Sequence, residues 1–97
     1  MQQIKMTPEM LRQQSTVYRN GSQTIMELLQ QLQQVQMEMG EQWSGAAWQS
    51  FSEQYEQLRP KVQSFSDLLG SIESQLQQVA TTVEHFDQEI ARNIMSQ

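Results

Sequence analysis

Ninety-seven residues with a formal charge of −5 and a pI near 4.6 allow one small domain and exclude a phosphate-backbone binder, which needs clustered Lys and Arg. Cysteine is absent, which excludes a disulfide framework, a Cys metal site and a thiol nucleophile. The opening MQQIKMTPEM lacks the apolar core of a signal peptide, and no stretch approaches the ~18 apolar residues of a membrane span, so these signals alone predict a soluble cytoplasmic protein.

The first helix is predicted over about 8–39. Thr7 is a good N-cap, Pro8 suits the first helical position and Glu9 suits the positive end of the dipole. Met6 and Leu11 occupy the two places of a hydrophobic staple. Leu11, Tyr18, Ile25, Leu32 and Met39 then recur at heptad spacing, and Leu28 and Val35 are expected to fill the alternate seam positions. Asn20-Gly21-Ser22 reads as a close-packing point, since a mid-helix Gly costs ~1 kcal/mol relative to Ala.

Gly40 is expected to end this helix as its C′ residue, which leaves 40–45 as a turn. With Ser44 as N-cap of a second helix, Trp43 and Trp48 take the staple positions and clamp the corner, while Gly45 and the two alanines leave room for the indoles. The second helix, about 45–93, has an unbroken pattern. Phe51, Leu58, Phe65, Ile72, Val79 and Phe86 form one heptad position; Tyr55, Val62, Leu69, Leu76, Val83 and Ile90 form the other. The seam stays in phase across Pro60, which predicts a kinked but continuous helix. About twenty glutamines cover the other faces without adding charge.

The expected fold is therefore all-α, one antiparallel helical hairpin. Its helices would measure ~48 and ~73 Å, so the first covers the second only to about residue 77 and leaves an apolar overhang. Two hairpins packed as an elongated four-helix bundle would bury the overhang and the flanks around Met26, Leu29 and Leu68.

A search for chemistry finds little. His85 and Glu89 form an i, i+4 pair, but zinc sites recruit three or four ligands, so the histidine reads as solvated. Glu53 and Glu56 read as a solvated face. The seven methionines are scattered and read as core filling or fraying ends. No glycine-rich phosphate loop or paired base is present, so the protein is expected to be no enzyme and to take no cofactor and no metal.

Trp43-Ser44-Gly45 at mid-chain, two amphipathic helices and the stretches IKMTPEMLR, EQWSGAAWQSFSEQYEQLRPKV and QLQQVATTVEHFDQEI together resemble the WXG family of ESAT-like (Esx) proteins, in particular its EsxA-type members from Firmicutes. The resemblance covers the full length. It implies export by the type VII pathway of Gram-positive bacteria without a cleaved signal peptide, which reverses the cytoplasmic expectation. It also implies hairpins that pair into four-helix bundles, here as a homodimer. The family's C-terminal export pattern falls on Val83, Asp87, Ile90 and Ile94, within an export segment 83–97, with Val83 where mycobacterial members prefer Tyr. In antiparallel dimers of the family one subunit's Trp-x-Gly corner lies near the other's C-terminal segment, which implies a composite signal read by the membrane ATPase of the secretion machine.

The function so implied is that of a secreted type VII substrate with a role in virulence or interbacterial competition. The alternative is a chaperone-like adaptor that pairs with a larger helical-domain toxin and escorts it. Direct membrane lysis ranks below both, because the seam reads as a bundle core and the polar face is acidic.

Overall fold

The structure, a computed structural model that describes residues 5–95, consists of two helices, α1 (Pro8–Gln42) and α2 (Ala46–Met95), folded back on each other through a three-residue corner. No strand occurs among the described residues. The chain is a rod of 79 × 23 × 16 Å with a radius of gyration of 22.1 Å, against ~12 Å for a compact domain of this size.

The start of α1 follows from its capping residues. Thr7 is extended, its Oγ1 accepts the Met10 N–H at 3.1 Å, and its carbonyl accepts the Leu11 N–H at 3.0 Å. Leu11, at 5% exposure, is among the few buried apolar residues, and Met6 is half-buried.

The interior of the hairpin is made largely of small residues. Ser15, Ser66 and Ala80 are essentially inaccessible, whereas Leu11 and Leu29 are the only large apolar side chains buried among the described residues. Ser22 Oγ donates to the Ser66 carbonyl at 3.0 Å, and Ser66 Oγ returns the bond to the Ser22 carbonyl at 3.0 Å. A Cβ on Gly21 would stand 3.4 Å from Leu69 Cδ1, so the Asn20-Gly21-Ser22 step is a point of close packing and not a break.

This corrects the expected seam. Leu28 and Val35 are 48% and 47% exposed and point away from α2; the alternate inner positions are Ser15, Ser22, Leu29 and the half-buried Gln36. The apolar stripe spans three heptad positions, wider than one partner helix covers. The helices settle on the flank where small residues let the backbones approach, and the larger side chains are left on the other flank. On α2 the two rows separate in the same way. Tyr55, Val62, Leu69 and Leu76 are half-buried toward α1, while Phe51, Leu58, Phe65 and Phe86 are between 39% and 60% exposed. Tyr18 and Ile25 are half-buried inside, Leu32 is 40% exposed on the outer side, and Ile72 is half-buried.

Two further expectations change. Gly40 does not terminate α1, which runs on to Gln42, and Gly45 is the only positive-φ residue described. Pro60 lies inside an unbroken α2, the continuity expected of it, on the exposed face, where the carbonyl it leaves without a donor can be hydrated. The cover of α2 by α1 reaches Glu84 and not 77, because Arg12 grasps Glu84. Side chains on a helix lean toward its N-terminus, so in an antiparallel pair they lean toward each other and extend the contact beyond what backbone rise predicts.

The phenolic oxygen of Tyr55 and the Gln36 amide nitrogen are buried on the inner side without a hydrogen-bond partner. An orphaned buried hydroxyl costs about 1–3 kcal/mol. Tyr55→Phe is therefore expected to stabilise the protein by about 1 kcal/mol, read as a higher urea midpoint with unchanged slope.

Candidate functional site

Two regions carry the sequence-predicted recognition residues: the corner and the end of α2. At the corner, Trp43 is extended and its N–H bonds the Met39 carbonyl at 2.8 Å, which closes α1. Gly45 has φ +103° and its carbonyl accepts the Gln49 N–H at 3.1 Å, so Gly45, not Ser44, is the N-cap of α2. The Trp43 and Trp48 rings still clamp the corner, with centroids 5.5 Å apart, and Phe51 joins them at 5.7 and 6.0 Å. The staple register has shifted by one residue, but the contact that it expected is made.

The two corner glycines do different work. A Cβ on Gly45 would meet nothing within 4 Å, so this glycine serves its backbone angle and not the space around it. Room for the indole comes from Gly40 instead, where a Cβ would lie 3.0 Å from Trp48 Cζ2. Gly45→Ala is expected to lower stability by about 1–2 kcal/mol, measured by thermal or urea unfolding, because alanine resists that φ.

At the other end, Val83 is half-buried against α1, whereas Asp87, Ile90 and Ile94 are exposed, the last two by 43% and 68%. Residues 96 and 97 of the expected 83–97 segment lie outside the described residues, as does Met1. Between Val83 and Asp87 sits the last contact with α1. Arg12 Nη1 and Nη2 donate to Glu84 Oε2 and Oε1 at 2.9 and 3.1 Å, a bidentate pair. These hydrogen bonds hold the Glu84 carboxyl below its ordinary value and raise Arg12 above its own. What the pair contributes is therefore complete above the ordinary glutamate pKa and is lost as pH falls through the lowered one. Arg19 Nε lies 3.7 Å from Glu73 further along the same interface. Sequence reasoning missed both pairs, although Arg12 and Arg19 share one heptad position and their partners lie within eleven residues of each other.

Charge divides sharply along the rod. Residues 20–58, the corner half, contain five glutamates and no Lys, Arg or His; the remaining six acids are matched by six Lys and Arg, so the corner half carries the whole formal −5. Elsewhere the polar groups behave as a solvated surface. Glu56 pairs with Arg59 at 3.2 Å, and His85 Nε2 lies 3.5 Å from Glu89 Oε1 with both exposed. No group of three or more His, Cys, Asp or Glu that could hold a metal ion occurs among the described residues. No described helix is long and apolar enough to cross a membrane.

Residues 3–88 match the family model described as WXG100, proteins of 100 residues with WXG. The chain is 41% identical over 93 residues to the type VII secretion system extracellular protein A of Staphylococcus aureus strain USA300, covering 96% of both chains. Among solved structures it is similar to Geobacillus thermodenitrificans EsxA, with a TM-score of 0.84 at 36% identity, covering 92% of this chain and 99% of that one. The fold is also that of the secreted protein EsxB from Bacillus anthracis, with a TM-score of 0.81 at 24% identity over 88% of this chain and 99% of that one.

Proposed function

The chain belongs to the WXG100 family, and from that premise we propose that it is exported by a type VII secretion system as a folded homodimer and acts outside the cell without catalysis. The observation that carries this reading is the 41% identity over 96% of both chains to a type VII extracellular protein, joined to a hairpin that leaves a row of large apolar side chains exposed. Among the described residues a single copy buries two large apolar side chains and leaves Leu28, Leu32, Val35, Phe51, Leu58 and Phe65 about half exposed, an arrangement that a second hairpin would cover.

Charge supports antiparallel pairing. Side by side in the same direction, two corner halves of −5 would face each other within a few ångströms, well inside the ~8 Å Debye length at physiological salt. Opposed, each charged half lies along a neutral one. The machine's membrane ATPase is the proposed reader, and Trp43 and Gly45 at the corner with Val83, Asp87, Ile90 and Ile94 on α2 form the proposed address. A role in virulence or competition between bacteria follows from extracellular delivery.

The test compares culture supernatants of the native strain and one lacking the secretion ATPase. The protein is expected in the first supernatant and confined to cells in the second. Equal amounts in both would sink the proposal, and retention in the cell while a larger helical toxin leaves would favour the escort role.

A further inference from the structure

Val83, Asp87, Ile90 and Ile94 are spaced three and four residues apart, and so are the α2 residues that pack against α1. Running back from Val83, the same row reads Ala80, Leu76, Glu73, Leu69, Ser66 and Val62, all buried or half-buried. The proposed address is thus the uncovered continuation of the intramolecular interface, starting where α1 stops. The dimer-facing row is separate: Phe65, Val79 and Phe86 occupy another flank of α2. A reader can therefore engage one row while a second copy holds the other.

We propose, building on the type VII reading above, that the reader docks on this row in the place α1 would take if it were about four turns longer, as an amphipathic helix carrying one cation. The end of α1 is the template. There Leu11 is buried in the hairpin interface and Arg12 forks onto Glu84. Continued with the same geometry, the interface requires an apolar side chain over Val83 and Ile90, and an Arg or Lys for the exposed Asp87, which lies two heptads beyond Glu73, the partner of Arg19. The pairing is antiparallel, as in the hairpin, and the leaning of the side chains sets the cation level with a point ahead of its carboxylate. Ile94 at 68% exposure supplies the last apolar contact.

The experiment lengthens α1 in the full-length protein. Residues 1–8 are replaced by a fifteen-residue helical extension without proline that continues the α1 heptads, with Leu at the inner positions and one Arg aimed at Asp87. The comparison protein carries an extension of equal length with Gln at those positions. Hydrogen exchange is expected to show protection of 85–95 in the Leu/Arg form alone, with the same sedimentation behaviour in both. In a secreting strain the Leu/Arg form should stay in the cell while the Gln form appears in the supernatant. Asp87→Asn within the Leu/Arg form should weaken the protection. Export of the Leu/Arg form despite a protected tail overturns the inference and leaves the type VII reading standing; absence of protection overturns the template itself. Failure of the wild-type chain to depend on the secretion ATPase would instead strike the underlying reading.

Discussion

Phe65→Asp is expected to convert the protein to monomer at concentrations where the unmodified chain is dimeric. Phe65 is 53% exposed on the outer row of α2, with Leu58 one heptad before it at 52%. Half of a phenylalanine's burial is worth about 1 kcal/mol, and a twofold interface meets each substitution twice. Forcing two carboxylates into the interface adds a desolvation cost of several kcal/mol after relaxation. A total of about 4 kcal/mol or more corresponds to about a thousandfold in Kd. Sedimentation equilibrium across a concentration series measures it. Gln57→Asp, on the polar face of the same helix, adds the same charge and is expected to leave the dimer intact. Helicity should also fall in the Phe65 variant, because a lone hairpin with three buried apolar residues among those described has little to hold it. A Phe65→Asp protein with unchanged mass in solution would show that the outer row is not the contact between copies.

The residues involved show what periodicity can and cannot reveal. Heptad spacing located both helices, because a single wide apolar stripe has the same period whichever way it faces. It could not say which flank of the stripe meets the hairpin partner. That choice was made by residues without a hydropathy signal, Ser15, Ser22, Ser66 and Ala80, whose smallness admits a close backbone, with the hydroxyls of Ser22 and Ser66 bonding across it. The corner was legible as two tryptophans around a glycine. Its mechanism was not, because the roles of Gly40 and Gly45 depend on which one carries the positive φ and which one lies under an indole. The reach of α1 was underestimated for a geometric reason: backbone rise was counted, and the mutual lean of long side chains that joins Arg12 to Glu84 was not. The proposed address residues came from family resemblance. That Val83 and Ile90 continue one heptad row was legible in the sequence; that α1 covers this row and stops short of its end was not.

Asp87→Ala is expected to abolish export while leaving fold and dimer untouched, and removal of the residues after Phe86 is expected to do the same. Asp87 is exposed, lies beyond the last contact of α1 and makes no contact on which the hairpin depends. Truncation after Phe86 keeps both the bidentate pair that closes the helix interface and the last residue of the dimer-facing row, so helicity per residue and oligomeric state should match the intact protein. The row requires more of Asp87 than charge alone. An isolated acid on a solvated helix contributes little to binding, but one flanked by Val83 and Ile90 on the same row is partly desolvated when the row is covered, and its charge-assisted bond strengthens accordingly. Asp87→Glu should therefore retain part of the export, Asp87→Asn less, and Ile90→Ser should match Asp87→Ala although it removes no charge. His85→Ala and Glu89→Ala, both exposed on the other side of the helix, should export normally. The blot of supernatant against cell pellet reads all of these at once. If Ile90→Ser were exported while Asp87→Ala was not, the address would be a point charge rather than a helix face, and the continuity with the α1 interface would have no functional meaning.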